Sequence, residues 1–183
     1  MENELQSKIQ DQPKDEHIKP LTGKEAIDKL REIATKAETC FFCTNIKTGL
    51  PLTASPMDLL EVDDEGNLWF MSMKDSTKNQ EIQADPFTHL FFQESKHSGF
   101  LNIYGITEIS YDKQRIEELW KPLHKVWFQG GKDDPQISLL KVFPTQAYYW
   151  DNKHGDMVAF AKMAVSMVSG KTMDDSIEGD LNF

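Results

Sequence analysis

Early in this chain, three apolar runs of strand length follow one another with only turn residues between them. Cys40–Ile46, Leu52–Val62 and Leu68–Met73 are separated by Lys47-Thr48-Gly49-Leu50-Pro51 and by Asp63-Asp64-Glu65-Gly66-Asn67. Gly, Pro, Asn and Asp supply the backbone angles of tight turns, so the runs read as consecutive hairpins. Thr88–Glu94 and Phe100–Tyr111 repeat the pattern around Lys96-His97-Ser98-Gly99, and a last long run spans Ile137–Trp150. Six closely spaced strands predict an antiparallel, barrel-like sheet of the α+β class, mainly β, and exclude a doubly wound parallel fold.

Helices are expected around this sheet. Thr22-Gly23-Lys24-Glu25 has the form of a capping box, and Ala26, Ile27, Leu30, Ile33, Ala34 and Ala37 follow at helical spacing. A short polar helix is expected from about Asp75 to Ala84, stopped by Asp85-Pro86. Another spans Lys113–Lys121 before Pro122, and an apolar one runs from Asp156 to Ser169, closed by Gly170. That last helix is too short to span a bilayer, so its face is expected to pack on the barrel or a partner.

The length of 183 residues suits one domain. A formal charge of −10 repels phosphate backbones and anionic headgroups, which disfavours nucleic acid and membrane surfaces as partners. The polar N-terminus lacks the apolar core of a signal peptide, and a cytoplasmic location is expected. Residues 1–20 carry five acids and three bases, and residues 171–183 carry four acids and one base. Both ends are poor in core-forming residues and read as a flexible tail and an acidic tail around a domain at 21–170.

Cys40 and Cys43 have C-x-x-C spacing, but three residues apart on a strand they face opposite sides and cannot share a metal. The five histidines show no zinc-binding spacing, so no metal is expected. Leu68-Trp69-Phe70-Met71-Ser72-Met73-Lys74-Asp75-Ser76-Thr77-Lys78 carries more chemistry. An apolar strand ends at Ser72 and a helix begins within four residues, with hydroxyls at Ser76 and Thr77 and ammonium groups at Lys74 and Lys78. Amides at a helix start carry partial positive charge, so this donor set suits a phosphate monoester; a capped helix with exposed lysines explains it equally. The stretch from Trp120 to Pro135, with Trp127, Phe128 and Gly130-Gly131, reads either as a wall for a planar ligand or as a core plug of the barrel or a dimer interface.

Taken together, Leu68–Lys78, Trp127–Pro135 and Tyr148-Tyr149-Trp150-Asp151 resemble the general stress protein 26 branch of the pyridoxamine 5'-phosphate oxidase-like, FMN-binding split-barrel superfamily, over about residues 22–170. The resemblance implies a six-stranded split β-barrel with peripheral helices, and a homodimer with FMN, or FAD, at the subunit interface. It places Phe70, Met71 and Ser72 along the isoalloxazine and ribityl chain and gives the phosphate to Ser76, Thr77 and Lys78. Trp150 matches an aromatic position near the flavin, and Trp127 belongs to the motif that marks the branch. Ser55 stands where relatives often carry arginine before Pro-Met, so it brings a hydrogen bond without a charge. The Arg-x-His motif of true pyridoxamine phosphate oxidases is absent after Trp150, so vitamin B6 oxidation is not implied. The readings are a flavin-dependent oxidoreductase with no catalytic residue identified, a non-enzymatic flavin-binding or sensing module, or a related barrel holding deazaflavin or haem, with His124 as the histidine nearest the aromatic segment.

Overall fold

The computed structural model describes residues 17–47, 51–94, 99–152 and 176–183. The expected helix from Asp156 to Ser169 and the N-terminal tail through residue 16 lie outside the described residues.

Alternation of side chains sorts the apolar residues to the two faces of a nine-stranded sheet. In chain order the elements are β1 (Leu21–Thr22), α1 (Lys24–Ala37), β2 (Thr39–Thr44), β3 (Thr53–Asp58), β4 (Glu61–Val62), β5 (Leu68–Met73), α2 (Thr77–Ala84), β6 (Phe87–Gln93), β7 (Phe100–Ser110), α3 (Lys113–Leu119), two 3-10 turns (Pro122–Val126 and Gly131–Asp133), β8 (Ile137–Asn152) and β9 (Ser176–Asn182). Neighbours run β1-β9-β8-β7-β6-β2-β3, with β5 joined to β4 and to β8. All pairs but β1 with β9 are antiparallel.

The 16 residues of β8 explain the open, split shape. One edge of β8 follows β7 from Ser110↔Leu139 to Phe100↔Trp150. Its other edge takes β5 from Met73↔Ile137 to Leu68↔Val142, and then β9 from Ala147↔Leu181 to Asn152↔Ser176. The register slips at Tyr104/Gly105, beside Pro144. A Cβ on Gly105 would lie 2.6 Å from the Phe143 carbonyl oxygen, so only glycine fits this bulge.

Six strands were expected, and the described chain has nine for two reasons. The run Leu52–Val62 bends at Leu59-Leu60, where Leu59 N–H donates to Glu38 O (2.8 Å) and Leu60 N–H to Trp69 O (2.9 Å), carrying the chain from β2 across to β5. The ends supply β1 and β9. The reading of 171–183 as a tail is therefore corrected: Ser176–Asn182 is a strand with Leu181 buried, held between β8 and β1. Residues 17–20 are likewise tied down, through Glu178 N–H to His17 O (2.9 Å) and Lys19 N–H to Glu178 O (2.8 Å). The expected capping box does not form. Thr22 is a strand residue, Gly23 is the N-cap at φ 53°, and its N–H donates to Asn182 O.

The core has two parts. Ala26, Leu30, Ile33 and Ala34 of α1, the stripe read from the sequence, pack with Phe42, Leu68, Phe70, Leu90, Ile103 and Tyr149. A smaller cluster on the other face of β5 joins Trp69, Ile116, Leu119, Phe128, Ile137 and Leu139. Among the described residues no helix is long and apolar enough to cross a membrane.

Candidate functional site

β5 is apolar on both faces because it lies between the two clusters: Leu68 and Phe70 enter the main core, Trp69 and Met71 the smaller one. The strand becomes polar at Ser72, and the chain turns through Lys74-Asp75 into α2. Ser76 is the N-cap of this helix, its Oγ accepting the Asn79 N–H at 3.2 Å. The strand end and the first helical turn open on a cleft of about 460 Å³. Met71, Ser72, Met73, Ser76 and Lys78 line one side; Pro56, Met57, Asp58 and Leu60 line a second; His124, Trp127 and Phe128 close a third.

Lys78 is the one permanent cation among the described lining residues. Its Nζ lies 2.9 Å from the Met57 thioether, a weak acceptor, and it is in no ion pair among the described residues. Burial pulls its pKa below the ordinary lysine value, and the Cys40 thiol and Glu81 only partly offset this. Asp58, exposed at the rim, is the one carboxylate in the lining. His124 is buried and its pKa is held down by desolvation, with Lys121 adding to the effect. Its Nδ1 accepts the Lys121 N–H at 3.0 Å, so the neutral ring carries its proton on Nε2 and is a donor there.

The structure brings Met71, Ser72, Ser76, Lys78 and Trp127 into one cleft. It does not bring the other four expected residues there. Phe70 is fully buried, edge-on to Phe42 with ring centroids 5.3 Å apart, because the pleat of β5 turns it into the core. Ser55 pairs with Phe42 across β2 and β3, and Pro56 and Met57 take the lining positions in its place. Thr77, the first residue of α2, is exposed and outside the lining. Trp150 lines a second cleft of about 420 Å³ with Phe41, Phe91 and Phe100, which shares Pro56 with the first. Lys74, also counted as a donor, turns away and sits 5.2 Å from the Tyr111 ring centroid.

The segment from Trp120 to Pro135 contributes both to the smaller core cluster and to the cleft lining. Phe128 is buried beside Trp120, with centroids 6.4 Å apart, while Trp127 stays 50% exposed on the cleft. Cys40 and Cys43 are buried free thiols, and desolvation raises both pKa values. Pro56, Met57, Asp58, Leu60 and Met73 were not singled out as site residues. The Pro-Met pair beside Ser55 was the signal available for the first two.

The chain belongs to the pyridoxamine 5'-phosphate oxidase-like family, whose model matches residues 25–174. A curated relative, Protein bli-3 of Neurospora crassa, is 24% identical over 134 residues; the match covers 68% of this chain and 64% of the relative. A solved structure from Jannaschia sp. CCS1, assigned to general stress protein 26, shares the fold with a TM-score of 0.70 at 22% identity, covering 87% of this chain and 96% of that one. The general stress FMN/FAD binding protein of Xanthomonas citri superposes with a TM-score of 0.57 at 25% identity, covering 68% and 89%. The resemblance to the general stress protein 26 branch and the strand-rich α+β split-barrel fold read from the sequence are borne out.

Proposed function

We propose that the Lys78 cleft holds the phosphate and ribityl end of FMN and that the protein is a flavoprotein of the stress-response type. The observation that carries this reading is the Lys78 ammonium, half-buried in an acidic protein and facing a thioether where a carboxylate partner would be expected. An ammonium held this way gains most from an anion that enters the cleft. Ser72 and Ser76 add hydroxyls beside it, and His124 Nε2–H and the Trp127 face suit a polar chain leading to a planar ring. The cleft suits the monoester of FMN, and the diphosphate of FAD is the second ligand to test. That a related protein is named for FMN/FAD binding supports the same assignment.

When bound, the flavin supplies electron transfer, and the chain contributes anchoring, orientation and exclusion of water. The aromatic face of Phe41, Phe91, Phe100 and Trp150 borders the cleft at Pro56, and a second copy of the chain is the proposed cover for it. Titration of the purified protein with FMN, riboflavin and FAD tests the reading. FMN is expected to bind at least tenfold more tightly than riboflavin, since a charge-assisted contact is worth about 1.5–3 kcal/mol. Lys78→Ala is expected to remove most of that difference. Equal affinities for FMN and riboflavin in the wild type, or a Soret band in the purified protein, would overturn it.

A further inference from the structure

Ser72 and Ser76 sit above two fully buried polar side chains that no part of the FMN reading uses. Asn79 and Ser138 are each 0% exposed, and every side-chain hydrogen bond they make leads to the two cleft serines or joins them to each other. Ser138 comes from β8, opposite Ser72 in the β5–β8 register.

The directions of these bonds follow from counting protons. Ser138 Oγ lies 2.9 Å from the Ser72 carbonyl oxygen, which can only accept, so Ser138 donates its single proton there. Its oxygen is then the acceptor for Asn79 Nδ2 at 2.8 Å. That orients the amide and leaves Asn79 Oδ1 facing Ser76 Oγ at 3.1 Å, where Ser76 is the donor. Ser76 Oγ also accepts the Asn79 N–H, so in its 3.2 Å contact with Ser72 Oγ the donor is Ser72. Ser76 is saturated: one proton given and two accepted.

Of the two hydroxyls, only Ser72 can therefore swing its proton to a ligand without taking the donor from a fully buried side chain. Redirecting the Ser76 proton would take from the buried Asn79 Oδ1 its donor, at a cost that a hydroxyl contact scarcely repays. We propose that Asn79 and Ser138 are positioning residues that set the hydroxyl polarity of the cleft and thereby assign the anion contact to Ser72, with Ser76 serving as helix cap and proton acceptor. This inference rests on the Lys78 cleft being the phosphate site and goes further in naming which hydroxyl touches the anion and what enforces it.

The test measures FMN and riboflavin affinities side by side, so that loss of the phosphate contact separates from loss of fold. Ser72→Ala is expected to weaken FMN about tenfold, the order of one hydrogen bond to a charged group, with riboflavin nearly unchanged. Ser76→Ala is expected to lower the melting temperature with a far smaller change in the FMN to riboflavin ratio. Ser138→Ala is expected to lower that ratio severalfold, and Ser138→Thr, which keeps the hydroxyl, to restore it. Asn79→Ala, breaking the relay at its other member, repeats the test, and each variant is compared at a temperature where its near-ultraviolet circular dichroism matches the wild type. Equal losses of FMN and riboflavin in Ser138→Ala and Asn79→Ala, or a larger ratio change in Ser76→Ala than in Ser72→Ala, would overturn the positioning role while leaving the cleft assignment intact. A wild type that does not distinguish FMN from riboflavin overturns the cleft assignment itself, and this inference with it.

Discussion

As the proposed phosphate ligand, Lys78 works against the fold that carries it. Its ammonium is desolvated with no carboxylate ion-pair partner among the described residues, so burial lowers its pKa from 10.5. A lysine lowered in this way destabilises the folded state. The penalty is fully present below the folded pKa and fades as pH rises from there through the unfolded value of 10.5. Lys78→Met keeps the aliphatic stem and removes the charge. It is expected to stabilise the ligand-free protein by roughly 1 kcal/mol at neutral pH, read from chemical denaturation, while lowering FMN affinity. A destabilised variant would show that the ammonium is compensated in the free protein. At this scale the sequence was informative where chemistry is local. Ser76 and Lys78 fall within one helical turn, so spacing gathers them, together with Lys74 and Thr77, which stay outside the lining; Ser72 comes from the family resemblance. Ser138 could not be found that way, because its partner Asn79 is 59 residues distant and only the β5–β8 register brings it opposite Ser72. The family resemblance puts the Phe70 side chain beside the flavin, whereas the pleat of β5 sends alternate residues into different cores and turns Phe70 into the main one.

At the scale of elements, the strands bounded by turn residues were legible, and the helix stripe from Ala26 to Ala34 matched its burial. β9 was not, because four acids among thirteen residues mask an alternation in which Ile177, Gly179 and Leu181 share one face. Gly179 marks the reason for the strand's composition. A Cβ there would sit 2.4 Å from the Lys19 carbonyl oxygen and 2.6 Å from its carbon, so the N-terminal segment can pass only over glycine. Gly179→Ala must displace residues 17–22 from β9, and a loss of about 1–3 kcal/mol is expected in urea denaturation. Because β9 joins the end of β8 away from β5, FMN affinity at the Lys78 cleft is expected to stay within about twofold. A large fall in affinity would mean that β9 and the cleft are energetically coupled through β8. The break of Leu52–Val62 into two strands was likewise hidden, since both halves are apolar and the bend is imposed by Leu59 and Leu60 finding partners on different neighbours.

For the molecule as a whole, the acidic composition argues against polyanions, and the proposed phosphate site does not conflict with it, since it asks one cation to meet one small anion. What composition could not reveal is the aromatic face. Phe41 is 61% and Phe91 41% exposed, and they are cross-strand partners on β2 and β6, while Pro56 pairs with Phe41 on the far side and reaches the Lys78 cleft. Apolar surface of this kind is what a second copy of the chain would bury in the proposed homodimer. Phe91 lies at the middle of the face and outside both core clusters, so changing it disturbs association more than folding. Phe91→Asp places a carboxylate where the second copy would desolvate it, and a buried unpaired charge costs several kcal/mol. Sedimentation is expected to show dimers in the wild type and monomers in Phe91→Asp, with the melting temperature nearly retained. If the second copy also seals the open side of the cleft, FMN affinity falls together with dimerisation and recovers at high protein concentration. A Phe91→Asp protein that remains dimeric would place the interface on another surface, and a monomer with undiminished FMN affinity would confine the whole flavin site to one chain.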